Sequence, residues 1–329
     1  MFVYWADVPA ESYKLPSHRQ CVDVSGNRMK ATASIFKIAI VLLFISCGQS
    51  NEKKTSISNY RDTSKTFVDA KEQERLEKRK QIEVQERIDS INADKILGEA
   101  LKVAEQHKAQ DKFEKSYVET MPDSSYQVEV EISSGFYFSS KFPHLIIRRK
   151  TPSSIYIDIF SKNDKQFQKV ISHEQWILEY TGDTIRDING DGLKDFIVNW
   201  YGSTGCCLKG FSNVYLQRLD KKTFSNSFEF INPTFSPKEQ IIRGVCYGHP
   251  GETEMYKYKW NKETVDTVEY IYYEKNDKGA KTGKLIVSNN LPYSDNHKVL
   301  KRLSHMPVEY RKIEGYDWFT DNLDKNGNR

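Results

Sequence analysis

Residues 67–118 contain no proline and a single glycine, Gly98, and Glu, Lys, Gln and Arg dominate them; all four are good helix formers. Val84, Ile88 and Ile91 fall at i, i+4, i+7, and Leu97, Leu101 and Ala104 repeat that spacing on a shifted stripe. The period predicts a long charged helix, supported by one-turn pairs such as Glu74 with Lys78 and Glu83 with Arg87. The shift between stripes breaks a heptad count. It leaves two arrangements open, a solvated stalk and a helix packed on the downstream domain.

After Met121 and Pro122 the period changes from 3.6 to 2. Residues 126–132 and 154–160 alternate strictly between polar and apolar, as half-buried strands do. Further strands are predicted at 145–149, 176–180, 196–200, 214–219, 240–247, 255–260, 265–273 and 284–287. Turn residues separate them, among them Asp220 to Lys222, Asn232 with Pro233, Ser236 with Pro237, and Asn276 to Gly279. A short helix is expected near 296–305. The aromatic tail 316–319 is expected to close one edge, and residues 321–329 to fray. The fold class is therefore mainly β, an antiparallel meander or sandwich-like domain over 124–320 preceded by a long charged α-helical segment.

The N-terminal region changes the composition. Lys30 and Lys37 precede an unbroken apolar run from Ile38 to Ile45, followed by Ser46 and Cys47. A basic stretch, a short apolar run and a small residue is the layout of a secretory signal. Eight apolar residues are too few for a spanning helix, which needs about 20. Phe-Ile-Ser-Cys resembles the lipobox of bacterial lipoproteins, in which the cysteine becomes the lipidated first residue; an ordinary cleaved signal or a buried apolar segment is the alternative. On this reading Met29 is the start, 1–28 is an upstream extension, 29–46 the signal peptide, Cys47 the lipidation site and 47–66 a polar tether. The implied location is the bacterial cell envelope, at the periplasmic or outer-membrane face. Without residues 1–46 the formal charge falls from +4 to +2. That balance argues against a nucleic-acid partner, which calls for a clustered basic surplus.

One motif carries chemistry. Asp187, Asn189, Asp191 and Asp195 stand at positions 1, 3, 5 and 9 of a loop, with Gly192 at position 6 and the Leu193 carbonyl able to turn inward. Ca2+ takes six to eight oxygens, and this is the first part of an EF-hand pattern. Position 12 is Val198 inside a strand-like run rather than Glu. The loop therefore resembles the FG-GAP type of calcium loop, which joins two strands. That resemblance implies Asp187, Asn189, Asp191, Leu193 through its carbonyl, and Asp195 as ligands of a structural Ca2+. A metal-free turn of Asp, Asn and Gly is the alternative. A single copy does not imply a propeller.

A wider resemblance spans roughly 142–318. Its landmarks are residues 157–160, the loop, 201–205, 232–235, 256–260 and Glu309 to Arg311. The chain resembles bacterial envelope lipoproteins with one FG-GAP-like loop, some of them immunity proteins similar to periplasmic lysozyme inhibitors. This implies a membrane held through the lipid, a protein partner, and a lysozyme-like enzyme as one candidate for it. Such inhibitors insert a Ser-Gly-Tyr loop into a cleft. The candidates are Ser134 with Tyr137, and Tyr201 with Ser203, the latter expected near the calcium site; a strand end or glycine turn is the alternative for each.

No nucleophile–base pair stands out, and His173, His249 and His305 show no triad or zinc spacing. The main expectation is a non-enzymatic binding module, with an Asp/Glu hydrolase of envelope glycans as the enzymatic alternative. In an oxidising compartment Cys246 is expected to pair with Cys206 or Cys207, closing a loop worth roughly 2–4 kcal/mol; two buried thiols and an exposed one are the alternative.

Overall fold

The structure, a computed structural model, describes residues 70–121, 126–163, 166–203 and 205–323. The expected upstream extension, signal peptide, lipidation site Cys47 and polar tether lie outside the described residues. Two compact units divide the remainder, residues 70–91 and residues 92–323.

Helix α1 (Ala70–Gln106) contributes to both. Its stretch within the first unit is almost wholly exposed, and Val84, Ile88 and Ile91 are exposed with it. The Glu74–Lys78 pair forms at 2.8 Å. In the second unit Leu97 and Ala104 of the shifted stripe are buried together with Ala93, Ile96 and Ala100, and Leu101 is half-buried against the same core. The two stripes thus differ in kind. Among the described residues no helix is long and apolar enough to cross a membrane.

The helix stops at Gln106 rather than 118, and Phe113–Thr120 is strand β1. Phe113 and Tyr117 are the half-buried positions of this strand. Residues four apart share a face in a helix and in a strand alike, so their spacing did not separate the two.

Fifteen antiparallel strands among the described residues form three sheets, each in chain order. The first holds β1, β2 (Gln127–Gly135), β3 (His144–Lys150), β4 (Ser154–Lys162) and β5 (Phe167–Trp176). The second holds β6 (Tyr180–Arg186), β7 (Asp195–Tyr201), β8 (Gly210–Tyr215) and β9 (Phe228–Ile231). The third holds β10 (Pro233–Ser236), β11 (Ile241–Val245), β12 (Met255–Asn261), β13 (Thr264–Lys275), β14 (Lys281–Ser288) and β15 (Val299–Leu303). The strand expected at 176–180 is instead the turn between β5 and β6, and the helix expected at 296–305 is β15. Val299 and Leu303, again four apart, are the half-buried positions of β15.

Alternation along the strands assigns each face. On the first sheet Val128, Val130, Ile132, Leu145, Ile147 and Phe160 meet the helix stripe, while Ile146, Ile155, Ile157, Ile159 and Ile171 meet Phe196, Val198 and Tyr215 of the second. Ile197, between Phe196 and Val198, points the other way and joins Val214, Phe230, Ile242, Tyr256 and Trp260. β7 is therefore buried on both faces, which is why its sequence is a continuous apolar run. The far face of the third sheet (Val245, Met255, Ile271, Leu285, Val287) is covered by Met306, Tyr310, Ile313 and Phe319. Phe319 belongs to the short helix α2 (Tyr316–Thr320). The aromatic tail thus covers a sheet face rather than an edge.

Asn232 switches the chain from the second sheet to the third. It adopts φ +45°, a conformation asparagine tolerates better than most residues. Its side chain accepts from the Gly210 N–H (2.8 Å) and donates to the carbonyls of Leu208 (3.1 Å) and Val245 (2.9 Å).

Candidate functional site

The loop between β6 and β7 begins one residue after Arg186 and ends at Asp195, which pair across the ladder. Alternate side chains fold back on the loop's own backbone. Asp187 accepts from the N–H groups of Gly190 (2.7 Å) and Gly192 (2.9 Å). Asn189 accepts from Asp191 N–H (3.1 Å), and Asp191 from Leu193 N–H (2.8 Å). Ile188 is buried in the core and anchors the loop from below. Asp195 is buried and bridges two segments, accepting from Ile188 N–H (2.9 Å) and from Gln217 N–H (2.8 Å) beyond β8. Burial pushes its carboxyl up to about 7, opposed by those two amides and reinforced by the neighbouring charges of Asp191 and Asp187.

Two glycines make the turn, at φ +78° for Gly190 and +81° for Gly192. A Cβ at Gly190 would run into the Pro237 carbonyl oxygen, whereas one at Gly192 would meet nothing within 4 Å. Gly192→Ala is therefore expected to lose about 1–2 kcal/mol from the left-handed backbone alone. Gly190→Ala adds a backbone collision and is expected to lose about 2–3 kcal/mol. Urea unfolding of both variants tests this; equal losses would mean that contact with the 237–239 turn does not constrain the loop.

Asn189, Asp191 and Leu193 border a cleft of about 740 Å³. Its other walls include Leu219, Lys259, Trp260 and Asp266. Leu219 is 88% exposed. Two buried polar atoms of lining residues, Trp260 Nε1 and Gln217 Oε1, have no hydrogen-bond partner. They are a donor and an acceptor, the pair that a polar ligand or water satisfies.

The loop expected beside the calcium site is at the other end of a strand. Asp195 opens β7 and Tyr201 closes it, a separation of about 20 Å at the usual rise per residue. Tyr201 is 40% exposed and lies on a second cleft of about 400 Å³. Ser203 is held there, its N–H and hydroxyl both donating to Glu179 Oε1 at 3.0 Å. Of the other pair, Ser134 is buried at the end of β2, and Tyr137 is half-buried against the core shared by the first two sheets.

The expected cysteine pairing does not form. Cys206 and Cys207 are both free, and Cys246 is disulfide-bonded to neither. What the sequence spacing did not reveal is that the fold brings His249 to the free pair. Among the described residues Cys206, Cys207 and His249 form a group whose ligand atoms all lie within 4.8 Å of one another. The available signal was the doubled cysteine itself. His173 bonds Tyr215 OH at 2.8 Å inside the core. No protein-family model, no curated protein and no solved structure matches the chain.

Proposed function

We propose that the β domain is a non-enzymatic, calcium-stabilised binding module of the bacterial cell envelope, tethered through a lipid on Cys47 and engaging a protein partner. The observation that carries this reading is the loop's position: three of its five candidate ligands, Asn189, Asp191 and Leu193, border the large cleft. The donor set fits a hard cation. Asp187, Asn189, Asp191 and Asp195 with the Leu193 carbonyl supply oxygen throughout, as Ca2+ requires. The repulsion from Asp187 and Asp191 that helps raise Asp195 is what a divalent ion relieves. Bound there, calcium would fix the loop that forms one rim of the cleft. The consecutive strand order in each sheet supports a sandwich-like stack of antiparallel meanders as the scaffold.

The test is thermal unfolding with calcium and with EDTA. At calcium 100-fold above Kd the folded state gains about 2.7 kcal/mol, and each kcal/mol moves Tm by about 2–4 °C in a domain of this size. Asp191→Ala is expected to abolish that difference. Superimposable melts of the parent with and without calcium reject the reading. Partner binding is then measured on envelope extract: retention should depend on calcium and be lost in Leu219→Asp.

A second reading, inhibition of a lysozyme-like enzyme, is favoured by the exposed Tyr201 beside the pinned Ser203. Such a pre-set loop loses little conformational freedom on insertion. Glycan hydrolysis calls for a carboxylate-lined pocket away from the loop. Here the carboxylates Asp191, Glu263 and Asp266 line the cleft at the loop itself.

A further inference from the structure

Cys206 and Cys207 follow β7, and His249 follows β11, so tertiary structure alone brings them together. The two thiol sulfurs lie 3.2 Å apart, and Cys206 Sγ lies 3.6 Å from His249 Nδ1. Both supporting loops are fastened. On the cysteine side, Leu208 is buried and its carbonyl accepts from Asn232 (3.1 Å). On the histidine side, Thr253 Oγ1 donates to the Cys246 carbonyl (2.8 Å). Trp318 Nε1 donates to the Gly248 carbonyl, and Gly251 N–H to the Trp318 carbonyl, both at 2.9 Å. The three ligand atoms are therefore pre-positioned. Lys209 and Tyr247 crowd the same turn, within 3.3 Å of where a Gly205 Cβ would sit. Cys207 is buried, whereas Cys206 and His249 are exposed, which gives an ion a way in.

We propose that Cys206, Cys207 and His249 form a three-ligand site for a thiophilic d10 cation, Zn2+ or Cu+, separate from the oxygen-lined loop. Two thiolates and an imidazole are soft to borderline donors, which suit these ions and not Ca2+ or Mg2+. On a tetrahedral Zn2+ with ordinary Zn–S lengths two sulfurs sit about 3.8 Å apart, so the pair opens by about 0.6 Å. Closing the pair into a disulfide is the less suitable outcome. Adjacent Cα atoms are about 3.8 Å apart, short of the roughly 4.4–6.8 Å that disulfides span. Binding replaces two S–H bonds by two S–metal bonds and adds one N–metal bond. The two thiol protons go to solvent, and a fourth coordination position stays open to water or another ligand.

The full chain, purified anaerobically and stripped of metal, is titrated with Zn2+, Cu+ and, as a spectroscopic probe, Co2+. One ion per chain, release of two protons, protection of two thiols from alkylation, and a sulfur-to-cobalt charge-transfer band are expected. Cys206→Ser and His249→Gln should each weaken binding at least about 10–100-fold, the loss that even outer-shell groups carry. Asp191→Ala should leave it unchanged, which separates this site from the calcium loop. Competition against a chelator of known affinity distinguishes Zn2+ from Cu+. Both ligand substitutions lie at exposed positions, and matched melting curves show that they fold. Cobalt binding without a sulfur band, or a 206–207 disulfide in the anaerobic protein, overturns the proposal.

Discussion

Asp158→Ala is expected to destabilise the chain by about 3–5 kcal/mol, the loss incurred when one member of a buried ion pair is removed. Asp158 is 1% exposed and Arg149 2%. Both stand on the face of the first sheet that meets the helix, because 145, 147 and 149 alternate onto one side of β3 and 156, 158 and 160 onto the same side of β4. Asp158 accepts from Arg149 Nη2 (2.5 Å), Lys169 Nζ (2.9 Å) and Ser172 Oγ (2.8 Å). Arg149 also donates through Nη1 to the Ala93 carbonyl, and its guanidinium stacks over Tyr156 at 5.0 Å. Removing the carboxylate leaves a guanidinium buried without its counter-charge between sheet and helix. Urea unfolding measures the loss, and hydrogen exchange should show residues 92–106 deprotected ahead of the sheet. The double variant Arg149→Met, Asp158→Leu should be less destabilised than Asp158→Ala, since it leaves no orphaned charge. If the double variant is the worse of the two, the pair contributes more than its desolvation takes away.

The second large effect is loss of stability in acid. His144 and His173 are buried, and burial pushes both imidazoles down to about 4 from an ordinary value near 6.5. For His144 the carbonyls of Phe142 and Lys222 and the charge of Asp220 act against burial, and for His173 Asp183 and Gln175 do. Between those values the unfolded chain binds protons that the folded chain does not, so stability rises with pH. Each histidine's stabilisation is full above pH 6.5 and is lost as pH falls toward 4, about 3 kcal/mol apiece. Asp195, raised to about 7, works in the opposite direction: its contribution is present at low pH and is lost as pH rises. The histidine part is therefore read as a difference between parent and His144→Phe, in which Asp195 cancels. The ring at 144 packs edge-on to Phe138 at 5.0 Å and Phe224 at 5.9 Å, and phenylalanine preserves that packing. The variant should lose about 3 kcal/mol less than the parent between pH 7 and 4. Parallel pH profiles would show that His144 takes up its proton as readily in the folded chain as in the unfolded one.

Much of the β architecture was legible in the chain, and what escaped has one physical cause. The interior strands announce themselves. β2 and β4 alternate, and β7 is continuously apolar because Phe196 and Val198 face one core and Ile197 another. The strands that were missed or read as helix are those at the sheet edges: β1, β5, β6, β9, β10 and β15. An edge strand buries little and carries charge as protection against stray pairing. In β1 this leaves Phe113 and Tyr117 among Glu114, Lys115 and Glu119, a pattern a charged helix also shows. The loop at 187–195 was equally legible, because its geometry is local. Asp187, Asn189 and Asp191 close on amides two to five residues away.

By itself, then, the sequence determined the change from helix to strand period, the strands with two buried faces, and an oxygen-rich loop in which Asp187, Asn189 and Asp191 bond within a few residues. Tertiary structure decided what joins segments distant along the chain. It set the loop against a cleft walled by Leu219 and Trp260. It buried Arg149 on Asp158 beneath the helix and carried His249 to Cys206 and Cys207. A lone polar residue in a pattern shows its type but not its neighbour. The neighbour is fixed by which faces of three sheets must leave water together.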